Sequence, residues 1–219
     1  MNKSIDKIID HVKQSVEKAD NNISNLPNSI LNMEGMSGKK TRHLYNNLNN
    51  IQNINYLEVG TWKGSSFISS LYGNDINSLV IDNWSEFDGP KNEFFKNVET
   101  FCPNKKYNFI ENDFFKVELS DIFKIYDSID IYLYDGSHDY DSQKKAITYI
   151  KNCLSQYSII IIDDFRKDTE SWSNVSKGTY DGIKESGLNI LYEIERESRQ
   201  EYNGNDEYWN GFGLFVCEK

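Results

Sequence analysis

From residue 54 onward, short β-rich runs alternate regularly with helical stretches. The runs occupy residues 55–60, 78–83, 107–113, 130–136 and 158–164, and they are rich in residue types that favour strands. Helical patterns fill the spacers at 65–72, 91–102, 117–124 and 141–154. Because parallel strands need crossover helices of this kind, the alternation predicts a doubly wound, Rossmann-like α/β sheet.

Two further β-rich segments complete the sheet. Residues 188–195 and 211–218 follow a short helix at 180–185, and only residues 196–210 separate them. A connection of that length without a crossover helix suits an antiparallel pair. We therefore expect about seven strands with the last strand antiparallel, in a domain that spans residues 53–219.

The N-terminal part follows a helical pattern. Residues 4–18 place apolar side chains at helical spacing, and a second helix is expected at 40–48. We expect residues 1–52 to form a helical extension in which Met33–Arg42 act as a lid. Two roles stay open for residues 1–30: a dimerisation arm of a homo-oligomer, or a cover packed on the domain.

Composition argues against several classes of partner. The net charge of −10 disfavours nucleic acid, because proteins that bind it neutralise phosphates with Lys and Arg. No apolar run approaches the roughly 20 residues that span a bilayer, so no membrane partner is expected. The three cysteines share no metal or redox spacing and are expected to be reduced thiols. These features predict a cytoplasmic protein.

The first five predicted strands all run into a carboxylate. The acids are Glu58, Asp82, Asp113, Asp135 and the pair Asp163 and Asp164. The carboxyl ends of parallel strands meet at one edge of an open α/β sheet, where ligands bind. One such acid could be a helix cap. Several at one edge repel each other unless a cation, a proton or a hydroxyl-rich ligand offsets them, so the edge predicts a ligand site.

The turn after the first strand allows close approach to a ligand. Gly60 and Gly64 let the backbone turn sharply before the next helix. Their G-x-x-x-G spacing differs from the G-x-G-x-x-G fingerprint, which disfavours a nicotinamide oxidoreductase. Asp82 follows Gly60 by 22 residues, at a strand end where an acid commonly holds ribose hydroxyls.

This turn resembles a known family. Motif I of class I S-adenosylmethionine (SAM)-dependent methyltransferases has the pattern E/D-x-G-x-x-x-G, and residues 56–67 read YLEVGTWKGSSF. The resemblance covers roughly residues 33–219 and looks closest to the macrocin O-methyltransferase type, more distantly to catechol O-methyltransferase. It implies SAM as cofactor. The cofactor-binding residues that it implies are Glu58, Gly60, Thr61, Gly64, Ser66, Asp82, Trp84, Asp113 and Asp135.

Within that set the resemblance implies distinct roles. Glu58, Gly60 and Ser66 would meet the methionine end of the cofactor. Asp82 would bind the ribose, and Asp113 would lie beside the adenine. Trp84 would pack nearby, although it reads equally well as an ordinary core aromatic.

A second group of acids surrounds the ends of the fourth and fifth predicted strands. Asp135 begins the sequence Asp-Gly-Ser-His and is followed after 28 and 29 residues by Asp163 and Asp164. Three carboxylates at neighbouring strand ends can supply oxygen ligands to Mg²⁺. The resemblance to metal-dependent O-methyltransferases implies the same three ligands. Otherwise Asp163 or Asp164 caps the following segment, and Asp135 binds only cofactor or substrate.

His138 is the candidate catalytic base. It is the only one of three histidines at this edge, and an imidazole accepts a proton near neutral pH. The alternative is that His138 caps the following helix or orders its loop.

The acceptor side carries a weaker pattern. Residues 196–210 include Tyr208 and Trp209, which either form a wall of the acceptor pocket or pin the closing hairpin to the body. The expected function is an O-methyltransferase that transfers a methyl group from SAM to a hydroxyl of a small polar acceptor, such as a sugar, with Mg²⁺ assistance. A metal-independent methyltransferase and a non-catalytic SAM-binding or interaction protein stay as alternatives.

Overall fold

One mixed sheet forms the centre of the protein. The computed structural model describes residues 5–166, 173–196 and 207–219. The strands are β1 (Asn55–Val59), β2 (Asn77–Asp82), β3 (Asn108–Glu111), β4 (Ile129–Tyr134), β5 (Leu154–Asp163), β6 (Asn189–Arg196) and β7 (Phe212–Glu218). Their order is β3-β2-β1-β4-β5-β7-β6. Strands β1 to β5 are parallel, whereas β7 is antiparallel to both β5 and β6. The predicted Rossmann-like sheet with an antiparallel last strand is confirmed.

Helices cover both faces of this sheet and precede it in the chain. The described α-helices are α1 (Ile5–Asp20), α2 (Asn28–Leu31), α3 (Lys39–Leu48), α4 (Ser65–Leu71), α5 (Lys91–Phe101), α6 (Leu119–Phe123), α7 (Tyr140–Ile150) and α8 (Ser173–Glu185). Short 3-10 turns occupy Phe114–Lys116 and Lys151–Cys153. The predicted N-terminal helical extension is present. None of the described helices is long and apolar enough to cross a membrane.

Three predicted boundaries were wrong by several residues, and the first is the end of the helix predicted at 141–154, which lies at Ile150. The strand β5 begins at Leu154 rather than at residue 158, because Leu154 pairs with Ile129 of β4. Helix α8 begins at Ser173 rather than at residue 180. Gly178 and Gly182 lower the helix propensity of that stretch. In the structure both glycines face α7, where a Cβ would lie 2.5 Å from the carbonyl oxygen of Tyr140 and 2.7 Å from that of Lys144, respectively.

The extension packs on one face of the sheet. Helix α1 buries an apolar stripe of Ile8, Val12, Val16 and Ala19, which joins the core formed with α3, α4 and α5. A second core lies on the opposite face beneath α6, α7 and α8. Helix α1 therefore covers the domain's own core, as one of the two predicted roles requires. The oligomeric state stays a prediction.

A buried arginine organises the loop between α2 and α3. The Arg42 guanidinium donates hydrogen bonds to the carbonyl oxygens of Ile30, Leu31, Met33 and Ser37 at 2.7 to 3.2 Å. Burial lowers the pKa of Arg42 to about 10. One side chain therefore satisfies two carbonyl groups of the segment predicted as a lid and two carbonyl groups of α2.

Candidate active site

A cavity of about 720 Å³ opens at the carboxyl ends of the parallel strands. Most of the predicted site residues line it. They are Gly60, Thr61, Ser66, Asp82, Trp84, Asp113, Asp135, His138, Asp163 and Asp164. Glu58 and Gly64 lie behind the cavity wall. The structure thus brings the predicted cofactor residues and the predicted metal and base residues into one space.

The glycine turn after β1 is required by close backbone contact. Gly60 has a φ of 81°, and a Cβ at this position would lie 1.9 Å from the carbonyl oxygen of Asp135. Gly64 has a φ of 87° and packs against the ring of Phe94. Both positions need a residue without a side chain, because left-handed backbone is unfavourable for other L-residues.

Asp82 ties two loops together at the cavity. Its Oδ2 accepts hydrogen bonds from the backbone N–H groups of Thr61 and Trp62 at 2.8 and 3.0 Å. Its Oδ1 accepts one from the N–H of Trp84 at 2.7 Å. An ionised carboxylate has about four lone-pair sites, so Asp82 keeps capacity for a ligand hydroxyl. The predicted contact with ribose stays a prediction.

We expect Asp82→Ala to weaken binding of S-adenosylhomocysteine (SAH) by roughly tenfold to a hundredfold. The variant loses the predicted ribose contact and frees the N–H groups of both loops, and hydrogen bonds to a charged group contribute about 1.5–3 kcal/mol. Calorimetric titration measures the change. Asp75→Ala, at an exposed position before β2, is the matched control and should keep the wild-type affinity. Equal affinities of the two variants would contradict the assignment.

Glu58 is fully buried beneath this turn. Its carboxylate accepts hydrogen bonds from the Tyr56 hydroxyl at 2.5 Å and from the Ser66 hydroxyl at 2.6 Å. Burial raises the pKa of Glu58 to about 7, and the hydrogen bonds offset only part of this effect. Ser66 lies between Glu58 and the cavity, and the predicted contact of both residues with the methionine end of the cofactor stays a prediction.

Ionisation of Glu58 should make stability depend on pH. The carboxyl has an ordinary pKa of 4.5, so between about pH 4.5 and about pH 7 the folded protein holds a proton that the unfolded chain has released. Stability from this group therefore decreases as the pH rises through that window, by a total on the order of 3 kcal/mol. Urea unfolding at about pH 5 and about pH 8 should show a smaller difference in Glu58→Gln than in wild type. Glu99→Gln, on the exposed side of α5, should behave as wild type.

The aromatic side of the cavity lies around the 3-10 turn that follows β3. Asp113 accepts a hydrogen bond from the N–H of Phe115 at 3.0 Å and caps this turn. Trp84 lines the cavity, packs against Phe94 in the core, and donates from Nε1 to the carbonyl oxygen of Trp62 at 3.0 Å. Trp84 is therefore both a core aromatic and a cavity wall.

Three acids concentrate negative charge where β4 and β5 end. Asp135 follows β4, Asp163 ends β5, and Asp164 comes next with a φ of 54°. Burial and mutual repulsion raise the pKa values of Asp135 and Asp163 well above the usual range. Burial also raises the pKa of Asp164, and the charges of His138 and Arg166 oppose this.

His138 contacts one of these acids directly. Its Nε2 lies 3.2 Å from Oδ2 of Asp164. The N-cap of α7 is Asp139, whose carboxylate accepts a hydrogen bond from the N–H of Ser142 at 2.9 Å, so the alternative of His138 as the helix cap is wrong. A carboxylate in this place orients the imidazole.

The three predicted metal ligands line the same cavity, but their side chains do not converge on one point. Across residues 5–166, 173–196 and 207–219, no three acidic, histidine or cysteine side chains are grouped as a metal site. Their chemistry nevertheless suits a hard cation, because Mg²⁺ prefers carboxylate oxygens. Burial and mutual repulsion favour the protonated forms of Asp135 and Asp163, and a bound cation would favour their carboxylate forms instead.

Some cavity residues were missed from the sequence. Tyr45 of α3 donates its hydroxyl to Oδ1 of Asp163 at 3.1 Å, yet it reads as an ordinary apolar position of an amphipathic helix. Met36 and Ser37 lie in the predicted lid and reach the cavity, and the hydroxyl oxygens of Ser37 and Ser65 are 2.8 Å apart.

The segment before β7 is pinned to the body of the protein, as one of its two predicted roles requires, and its role as a wall of the acceptor pocket stays a prediction. Tyr208 is buried and donates its hydroxyl to Asp20 at 2.8 Å, which pins the segment to α1. Trp209 lines the cavity. Most of the predicted wall, residues 197–206, lies outside the described residues.

Comparison with known proteins agrees with this architecture. Residues 57–165, about half of the chain, match a family model described as a methyltransferase domain. No curated protein matches the chain. The O-methyltransferase from Bacillus cereus in complex with SAH is 16% identical, with 100% of this chain and 93% of that chain covered and a TM-score of 0.54.

Two other solved structures have the same fold. The precorrin-6y C5,15-methyltransferase from Geobacter metallireducens is 12% identical, with 83% of this chain and 89% of that chain covered and a TM-score of 0.52. The protein SMU.776, complexed with SAH, is 16% identical, with 83% of this chain covered and a TM-score of 0.56. The chain spans 49% of the length of SMU.776.

The identities of these structures are low, and their names give different methylated atoms, so the likeness shows the fold. The family match adds the segment that carries the glycine turn and the acids at the ends of β1, β2, β4 and β5. On the fold, the site and this match together, the chain is a class I SAM-dependent methyltransferase.

Proposed function

We propose that the protein transfers the methyl group of SAM to a hydroxyl of a small polar acceptor, with His138 as the base and with Mg²⁺ assistance. The observation that carries the proposal is the contact between His138 and Asp164 at the edge of the cofactor cavity. The resemblance to the macrocin type of O-methyltransferase implies a histidine at position 138. The similarity to the Bacillus cereus O-methyltransferase supports oxygen as the methylated atom.

The chemistry of the proposed base follows from its surroundings. The imidazole of His138 takes the proton from the acceptor hydroxyl, and the carboxylate of Asp164 stabilises the positive charge that forms. The resulting alkoxide attacks the sulfonium methyl in line, and SAH is the product. Trp209 and the loop between α2 and α3, which contains Met36, border the acceptor and help to exclude water.

The metal part of the proposal assigns Asp135, Asp163 and Asp164 as ligands. When bound, Mg²⁺ would supply Lewis-acid polarisation of the acceptor oxygen. The burial of Asp163 and Asp164 and the position of all three acids at one cavity support this assignment. Because Asp164 also contacts His138, the same carboxylate would both bind the metal and contact the base.

One observation favours a metal-independent methyltransferase as the second candidate. A histidine oriented by a carboxylate is by itself a sufficient general base, and the His138–Asp164 contact is already formed. A SAM-binding protein without activity is the third alternative, since a fold alone does not imply catalysis.

We also propose a domain organisation and a class of binding partner. We assign residues 1–52 to a helical extension with a lid, and residues 53–219 to the methyltransferase domain. We propose a cytoplasmic protein that acts on a small molecule and binds neither nucleic acid nor membranes, in keeping with its net charge of −10. We also propose that it can form a homo-oligomer, which light scattering would test.

The first experiment is a titration of SAH into chelator-treated protein, with and without added Mg²⁺. Binding with a Kd near the micromolar range, about −8 kcal/mol, would support the cofactor site. Mass spectrometry would then follow methyl transfer from SAM to a panel of sugars and glycosylated small molecules. Activity that survives chelation and does not increase with Mg²⁺ would contradict the metal part. Absence of SAH binding under all conditions would contradict the cofactor assignment.

A further inference from the structure

Asp20, the last residue of α1, holds the chain on both sides of residues 197–206. Its carboxylate accepts a hydrogen bond from Nη2 of Arg196 at 2.9 Å and from the hydroxyl of Tyr208 at 2.8 Å. Although burial acts in the opposite direction, these hydrogen bonds lower the pKa of Asp20. The end of β6 and the segment before β7 are therefore fastened to the same carboxylate.

The start of α3 contacts the same segment. Lys40 forms an ion pair with Glu207 at 3.2 Å. A Cβ on Gly38 would lie 1.8 Å from the carbonyl oxygen of Glu207, so the two backbones touch. The extension thus contacts Glu207 and Tyr208 from two directions, and α1 is itself anchored by its buried apolar stripe.

The next two residues lead from this contact into the cavity. Trp209 and Asn210 both line it. Asn210 has a φ of 54° and accepts hydrogen bonds from Arg166 at its carbonyl oxygen (2.7 Å) and its Oδ1 (2.6 Å). The side chain of Asn210 also lies beside Asp164 and lowers the pKa of that carboxyl. Asp164 in turn contacts His138.

We propose that Asp20 is a positioning residue for methyl transfer. By fixing Tyr208, it sets Trp209 as the wall of the acceptor end and holds Asn210 against the Asp164–His138 pair. An indole that lines the cavity suits a ring with an apolar face, such as a sugar ring. This inference rests on the proposed role of His138, and it makes the N-terminal helix part of the reaction machinery.

The test uses the full chain and needs no identified acceptor. Protein labelled with 5-fluorotryptophan contains four fluorine signals, from Trp62, Trp84, Trp172 and Trp209. The NMR signal of Trp209 is the one that disappears in Trp209→Phe. The imidazole NMR signals of His138 are those that disappear in His138→Gln. Asp20→Asn keeps the size of the side chain and removes its charge. The matched control is Asp10→Asn, on the exposed side of the same helix.

We expect Asp20→Asn to shift or broaden the signals of Trp209 and His138 while those of Trp62 and Trp84 keep their positions. Asp10→Asn should leave all of them unchanged. A Trp209 signal that stays in place would overturn the inference. A Trp209 signal that moves without any change at His138 would overturn the link to the base.

A second variant guards against loss of the fold. If Asp20→Asn unfolds the protein, Tyr208→Phe removes only the hydroxyl that contacts Asp20, and the same criteria apply to it. Addition of SAH should move the signals of Trp62 and Trp84, which line the cofactor cavity. That response tests the cofactor site independently, so its failure is distinguishable from failure of the Asp20 inference.

Discussion

Gly60→Ala is expected to abolish SAH binding and to lower the free energy of unfolding by about 3 kcal/mol or more. Left-handed backbone with a Cβ costs about 1–2 kcal/mol by itself. The added methyl group would also lie 1.9 Å from the carbonyl oxygen of Asp135, a contact that no rotamer can relieve. The turns after β1 and β4 must then separate, and the cavity between them loses its shape. Urea unfolding and SAH titration measure the two effects.

Gly187→Ala provides the control for backbone strain alone. Gly187 has a φ of 71°, yet nothing lies within 4 Å of the position that its Cβ would take. This variant should lose only about 1–2 kcal/mol and should keep its SAH affinity. If the two glycine variants lost equal stability, contact with Asp135 would not be what position 60 requires.

His138→Ala is expected to lower turnover by about 10²–10⁴-fold, the usual contribution of a general base. SAH affinity should stay close to wild type, because the side chain contacts Asp164 and is not among the residues proposed to bind the cofactor. Initial rates with an acceptor from the screen, together with SAH titration, separate the two quantities. Asp164→Asn should also reduce turnover, since it removes both the charge beside the imidazolium and one of the proposed metal ligands.

The control for this variant is His11→Gln, which removes an imidazole from α1 that contacts the carbonyl oxygen of Leu48. It should leave turnover near wild type. Full activity of His138→Ala would contradict the base assignment. Joint loss of activity and SAH binding would instead assign His138 to the architecture of the cavity.

The sheet and its ligand edge could be predicted because they follow from local pattern and from topology. Each β-rich run that ended in an acid had to place that acid at the carboxyl edge once the strands were parallel, and Asp82 and Asp135 lie there. The start of α8 could not be predicted, because Gly178 and Gly182 weaken the helical signal. The reason for these two glycines is visible only in the structure, where α7 packs too closely for a side chain at either position.

The sequence also could not separate residues that touch the cavity from residues that support it. Glu58 sits in the predicted motif, yet the structure buries it behind Ser66. Tyr45 shows the opposite case, since an apolar helical position turns out to reach Asp163 across 118 residues of sequence. Such contacts depend on where α3 lies on the sheet, and periodicity gives no information about that.

The hydrogen bonds of Asp82 have a consequence for how the cofactor binds. Because one carboxylate joins the loops after β1 and β2, the two loops form a single preorganised body. Little ordering entropy is then lost when a ligand arrives, and ligands of preorganised sites keep more of their contact energy as affinity. A fragment such as adenosine, which spans only part of the cavity, should therefore bind to a surface that is already in its final shape.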